Sequence, residues 1–127
     1  MLVRSDERPR TRLAGGVVCE ELAAPGSFIE PFIVEYPPGS DNGGEGVVKR
    51  PGHSFILGLE GTLRITPEGD EPEEVVVGPG RALTMAGGQP WSCLNCGVSN
   101  ARLLWVDELA SDAWRRAFSS AADSDGR

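Results

Sequence analysis

One His, three Cys and one Lys limit what this chain can do chemically. Cys93-Leu94-Asn95-Cys96-Gly97 has the outline of a zinc knuckle, and with Cys19 and His53 it completes a Cys₃His donor set on paper. Two features oppose that reading. A second Cys pair is absent, and extended backbone sends Cys93 and Cys96 to opposite faces. A redox Cys-x-x-Cys would sit in a βαβ pattern, and none surrounds it. An odd number of Cys fits reduced thiols better than a disulfide framework. Cys93 as a nucleophile needs a base within hydrogen-bond reach; otherwise it packs as a small hydrophobe. Arg50 can take a carboxylate or phosphate through two parallel N–H bonds, or form a rim salt bridge. His53 is the group whose unperturbed pKa lies near neutrality. By elimination the catalytic candidates are Cys93, Arg50, Tyr36 and His53, and none is assigned a catalytic role.

The elements that must position these residues are short and turn-rich. Gly 17 and Pro 10 punctuate the chain throughout. Strands are predicted over 16–22, 28–36, 47–49, 53–59, 62–66, 74–77, 81–85, 91–95 and 102–106. Within 28–36, Phe32, Val34 and Tyr36 share one face, with Ile33 and Glu35 on the other. About nine short strands with no helical pattern between them indicate an all-β sandwich or barrel. After Asp107 the period changes: Ser111-Asp112 offers an N-cap, and Trp114, Phe118 and Ala121 recur at helical spacing. The expected organisation is a flexible arm over 1–12, a barrel over 13–108, a short C-terminal helix within 109–122 and a tail over 123–127.

With 127 residues the chain makes one domain with a real core. A net charge of −7, with Arg8, Arg10 and Arg12 as the only close basic group in the N-terminal part, argues against nucleic acid as a partner. No apolar run is long enough to span a membrane. The N-terminal residues lack the apolar centre of a signal peptide, so the expected location is cytoplasmic.

Three blocks carry a family resemblance. Arg50-Pro51-Gly52-His53-Ser54-Phe55-Ile56-Leu57-Gly58-Leu59-Glu60-Gly61 resembles the first cupin motif. Val77-Gly78-Pro79-Gly80 and Gln89-Pro90-Trp91-Ser92-Cys93-Leu94-Asn95 resemble the second. Residues 16–106 as a whole look like the C-terminal cupin domain of bacterial helix-turn-helix regulators, through Tyr36-Pro37-Pro38-Gly39-Ser40 and Leu103-Leu104-Trp105-Val106 in addition. The resemblance implies a jelly-roll barrel, also called a double-stranded β-helix. It also implies a metal held by two His and a Glu from the first motif and a His from the second. Here those positions are Val48, Arg50, Ser54 and Trp91, which cannot coordinate a transition metal as the family does. No metal and no cofactor are therefore expected.

If Ser54 stands at the family's inward Glu position, strand alternation turns Ile56 and Gly58 inward as well, with His53, Phe55 and Leu57 outward. The same parity turns Trp91, Cys93 and Asn95 inward. The expected ligand-binding set is Arg50, Ser54, Ile56, Trp91, Cys93 and Asn95. Two of these have structural roles beside the functional one: Trp91 as a plug, and Asn95 as a strand-end anchor like an Asn in the family's second motif. The leading expectation is a metal-independent protein that binds a small organic molecule as sensor or carrier. A metal-free isomerase or cyclase and a dimeric interaction module are the alternatives. A homodimer that buries Trp114 and Phe118 is expected in each case.

Overall fold

The computed structural model describes residues 2–23, 29–44, 46–69 and 73–108. Among them the chain forms β1 (Arg10–Arg12), β2 (Val18–Glu21), β3 (Ile29–Tyr36), β4 (Ser54–Glu60), β5 (Leu63–Pro67), β6 (Val75–Val77), β7 (Ala82–Met85), β8 (Trp91–Leu94) and β9 (Ala101–Glu108). Two sheets result, a six-stranded one in the order β1-β2-β3-β9-β4-β7 and a three-stranded one in the order β6-β5-β8. Every pairing is antiparallel. No helix among the described residues is long and apolar enough to cross a membrane.

Alternation builds the core. On β4, Ser54, Ile56 and Gly58 are buried while Phe55 is exposed. On β9, Ala101, Leu103 and Trp105 are buried in the same phase, and on β8 so are Trp91 and Cys93. Ile56, Leu63, Ile65 and Leu103 lose essentially all contact with water and form the centre between the sheets. Gly58 is needed where β4 passes close to the turn after β6, because a Cβ there would run into the carbonyl oxygen of Gly78. A register irregularity between β4 and β9 falls between Gly58 and Glu60.

Residues 10–12, expected within a flexible arm, instead extend the larger sheet as β1, with Arg10 opposite Glu20 and Arg12 opposite Val18. Backbone and side chains of β2 both give the arm partners: Glu21 N–H donates to the Pro9 carbonyl, and Arg8 Nη1 donates to the Glu20 side-chain Oε1 at 2.9 Å. The exposed Arg-Thr-Arg side chains keep this outer edge charged. The segment 47–49, expected as a strand, contributes one bridge, Val48 opposite Trp91. The helix expected within 109–122, with Trp114 and Phe118, lies outside the described residues.

Asn95 ties the end of β8 to the rest. Its Nδ2 donates to the Tyr36 carbonyl at 2.8 Å and the Ser99 carbonyl at 3.0 Å, and its Oδ1 accepts from Gly97 N–H at 2.9 Å. Its backbone N–H donates to the Ser40 carbonyl at 2.9 Å. Each side-chain bond lost beside a buried partner costs about 1–3 kcal/mol. Asn95→Ala is therefore expected to destabilise the fold by roughly 3 kcal/mol or more, read from the urea midpoint at unchanged slope. A shift too small to measure would mean that the β8 end is held by its backbone bonds alone.

Candidate functional site, an aromatic and acidic barrel cavity

A cavity of about 630 Å³ lies between the inner face of β2, β3 and β9 and the segment 49–52 that precedes β4. The register of the larger sheet explains its lining row by row. Phe32 stands opposite Trp105, and Glu30 opposite Asp107, so an aromatic row is followed by an acidic one. β2 adds Cys19 and Glu21 beside them, with Glu21 opposite Phe32. From the other side come Arg50 and Trp91.

Trp91 is fixed by backbone on two sides. It stands opposite Pro67 on β5, and it exchanges both N–H···O bonds with Val48, at 2.7 and 2.8 Å. Its indole meets that of Trp105 with centroids 4.9 Å apart and planes inclined by 32°. Such tilted aromatic pairs contribute about 0.5–1.5 kcal/mol beyond the area they bury. Both indoles are 5% exposed, so they form the cavity floor and leave the space above it open.

Asp107 is held in place within the acidic row. Its Oδ1 accepts from Ser54 Oγ at 2.7 Å and from Trp105 Nε1 at 3.1 Å. Glu30 has its pKa raised, first by partial burial and then by the charges of Asp107 and Glu21, while Arg50 acts in the opposite direction. Asn42 also lines the cavity; its Nδ2 donates to the Gly46 carbonyl, and its buried Oδ1 has no donor.

Of the six residues expected to bind a ligand, the structure brings Arg50 and Trp91 to the cavity wall. Ser54 is buried behind it and reaches it through Asp107. Ile56 and Cys93 lie in the apolar core, and Asn95 serves the β8 anchor. Among the catalytic candidates, Tyr36 lines the cavity, but burial drives its pKa well above the ordinary range. Burial also pushes the Cys93 thiol up to about 12, against a hydrogen bond with Tyr36 that lowers it. His53 is exposed, with Nδ1 3.5 Å from Glu108 Oε1. Sequence reasoning missed Glu30, Asp107 and Trp105 as cavity residues. The signal was available: extending the Phe32-Val34-Tyr36 face by one step reaches Glu30, a carboxylate in phase with an apolar face.

The positions that the cupin motifs reserve for metal donors hold Val48, Arg50, Ser54 and Trp91. Among the described residues no three His, Cys, Asp or Glu side chains converge as a metal site would need. The donor chemistry of a cupin metal centre does not fit these residues.

Two antiparallel sheets closed around such a cavity define a cupin-fold protein, and solved structures agree. The chain is similar to hydroxypropylphosphonic acid epoxidase from S. wedmorenis, at TM-score 0.71 and 20% identity over 84% of this chain and 58% of that one. It thus spans less than two thirds of that protein. It is also similar to Drosophila melanogaster CENP-C bound to CAL1, at TM-score 0.71 and 10% identity over 84% of this chain and 85% of that one. A cupin superfamily protein from Desulfitobacterium hafniense matches at TM-score 0.62 and 14% identity over 77% of this chain and 82% of that one. No protein-family model matches the chain, and no curated protein does. At these identities the likeness shows the fold.

The three thiols separate by environment. Cys96 is exposed, Cys93 is raised to about 12 by burial, and Cys19 is raised to about 11 by burial and then by Glu21, Asp107 and Glu30. At pH 8 a disulfide reagent is expected to modify Cys96 promptly, Cys19 slowly and Cys93 only after denaturation. Unfolded thiols ionise from about pH 8.5, before the folded ones, so stability falls as pH rises from there through the raised values. Three equally fast thiols in the native protein would contradict this environment.

Proposed function

We propose that the chain binds a small organic molecule inside its barrel without a metal, as a sensor or carrier. One observation carries the reading: about 630 Å³ of space remains above the paired indoles, in a wall that combines aromatic faces with a few convergent polar groups. That volume and that mixture are the usual anatomy of a small-molecule site. A structural neighbour, the S. wedmorenis epoxidase, has been solved in complex with fosfomycin, which supports the capacity of this fold for a ligand. The resemblance to the sensing domains of helix-turn-helix regulators supports the sensor role, and the free thiols accord with a cytoplasmic setting. A homodimer belongs to the same proposal; light scattering that gives monomer mass at micromolar concentration would overturn it.

A second reading has its own observation. Glu30, with its raised pKa, stands opposite Asp107, whose carboxylate is hydrogen-bonded at one oxygen. A carboxyl group that holds its proton more firmly, set opposite a second carboxyl group, suits general acid–base work in an isomerase or cyclase. Turnover of a bound ligand, abolished by Glu30→Gln, would favour this reading over simple binding.

Screening by native mass spectrometry and thermal shift against a metabolite panel tests the binding proposal directly. Trp91→Ala is expected to lower affinity for any ligand found by about tenfold or more, while Arg102→Ala on the outer face of β9 leaves it unchanged. Removing a buried indole also costs stability, typically about 3–5 kcal/mol where nothing refills the space. A large loss of stability with unchanged binding would make Trp91 a structural plug and move the site elsewhere.

A further inference from the structure

The cavity walls favour one charge. Four carboxylates, Glu21, Glu30, Asp107 and Glu108, line it against two cationic side chains, Lys49 and Arg50. The carboxylates share one end of the cavity because β2, β3 and β9 each bring an acid there: Glu21 lies opposite Phe32, and Glu30 opposite Asp107. Next to this acidic end the wall is aromatic, from Phe32, Trp105 and Trp91. Aromatic faces carry negative electrostatic potential and attract organic cations.

We propose, on the strength of the binding reading above, that the ligand is a small organic cation, an amine or protonated nitrogen heterocycle. Its charged nitrogen lies at the Glu30–Asp107 row and its apolar body lies over the Trp91–Trp105 floor. The ammonium N–H groups donate to Glu30 and Glu21, because one oxygen of Asp107 already accepts two bonds. A cation between these carboxylates also offsets the mutual repulsion from Asp107 and Glu21 that contributes to the raised Glu30 pKa. An anionic ligand would meet four like charges and only two opposite ones, and partly desolvated like charges are costly to bring together.

A matched series separates charge from shape: 2-phenylethylamine, 2-phenylethanol and 3-phenylpropionate, titrated into the full chain at pH 7 by calorimetry and tryptophan fluorescence. The amine is expected to bind at least about tenfold more tightly than the alcohol, and the carboxylate most weakly. Glu30→Gln should shrink the amine-to-alcohol ratio towards one, and Glu21→Gln should reduce it in part, with folding of each variant checked by its melting temperature. Alcohol or carboxylate binding as tight as the amine would overturn the cation assignment and leave the binding reading standing. A ratio untouched by both substitutions would overturn the placement of the charge. Failure of all three compounds to bind at millimolar concentration would also overturn the assignment, and the metabolite screen would then decide the binding reading by itself.

Discussion

The contact between Trp91 and Trp105 is the constraint on which the rest of the site depends. Trp91 belongs to the smaller sheet and Trp105 to the larger, so their indoles join the two walls at the centroid distance of 4.9 Å. Interiors fill to crystal-like density wherever side chains can interdigitate. On the β4 side of this pair they do, with Ile56, Leu63, Ile65 and Leu103 leaving no access for water. On the β2 and β3 side the sheets stay apart beside the tilted indole pair, and the inward residues there include two carboxylates and a thiol as well as Phe32, Val34 and Tyr36. Carboxylates resist being packed against one another without solvent or a counter-charge. The open space is thus a consequence of which residues face it.

The acidic row is affordable because its members are not equally buried or equally partnered. Asp107 receives hydrogen bonds from Ser54 and from Trp105, which offset the loss of water around one oxygen. Glu30 keeps part of its exposure and responds by holding its proton more firmly. Glu21 stays exposed at the rim. This gradient from rim to floor lets charge enter the barrel without an isolated ion in its centre.

The strands were legible from alternation, because burial of one face imposes a period of two on the sequence. The parity reading of β4 and β8 was legible for the same reason, and Ser54, Ile56, Trp91 and Cys93 are all buried. Burial alone, however, does not separate cavity wall from core. Ile56 and Cys93 point inward where the sheets meet, whereas Glu30 and Asp107 point inward where they part. That distinction depends on the β3–β9 register, a long-range pairing that no local pattern encodes. The β1 strand was hidden for a related reason: Arg10-Thr11-Arg12 has no apolar face, and only the unfilled backbone groups of β2 make it a strand.

Ser54 links the sequence motif to the site. It stands where the cupin motif supplies a metal-binding Glu, and its hydroxyl instead donates to Asp107 on the neighbouring strand. Trp91, at the position of the second-motif His, stacks on Trp105, whose N–H donates to that same carboxylate oxygen. Two positions that would have converged on a metal therefore converge on Asp107, one directly and the other through the ring it supports. A cation that a metal would have provided at the centre is replaced by a fixed negative group nearer the mouth, beside Glu30 and Glu21. The same barrel geometry that gathers ligands around a positive ion in the motif's metal-binding form here gathers donors around a carboxylate.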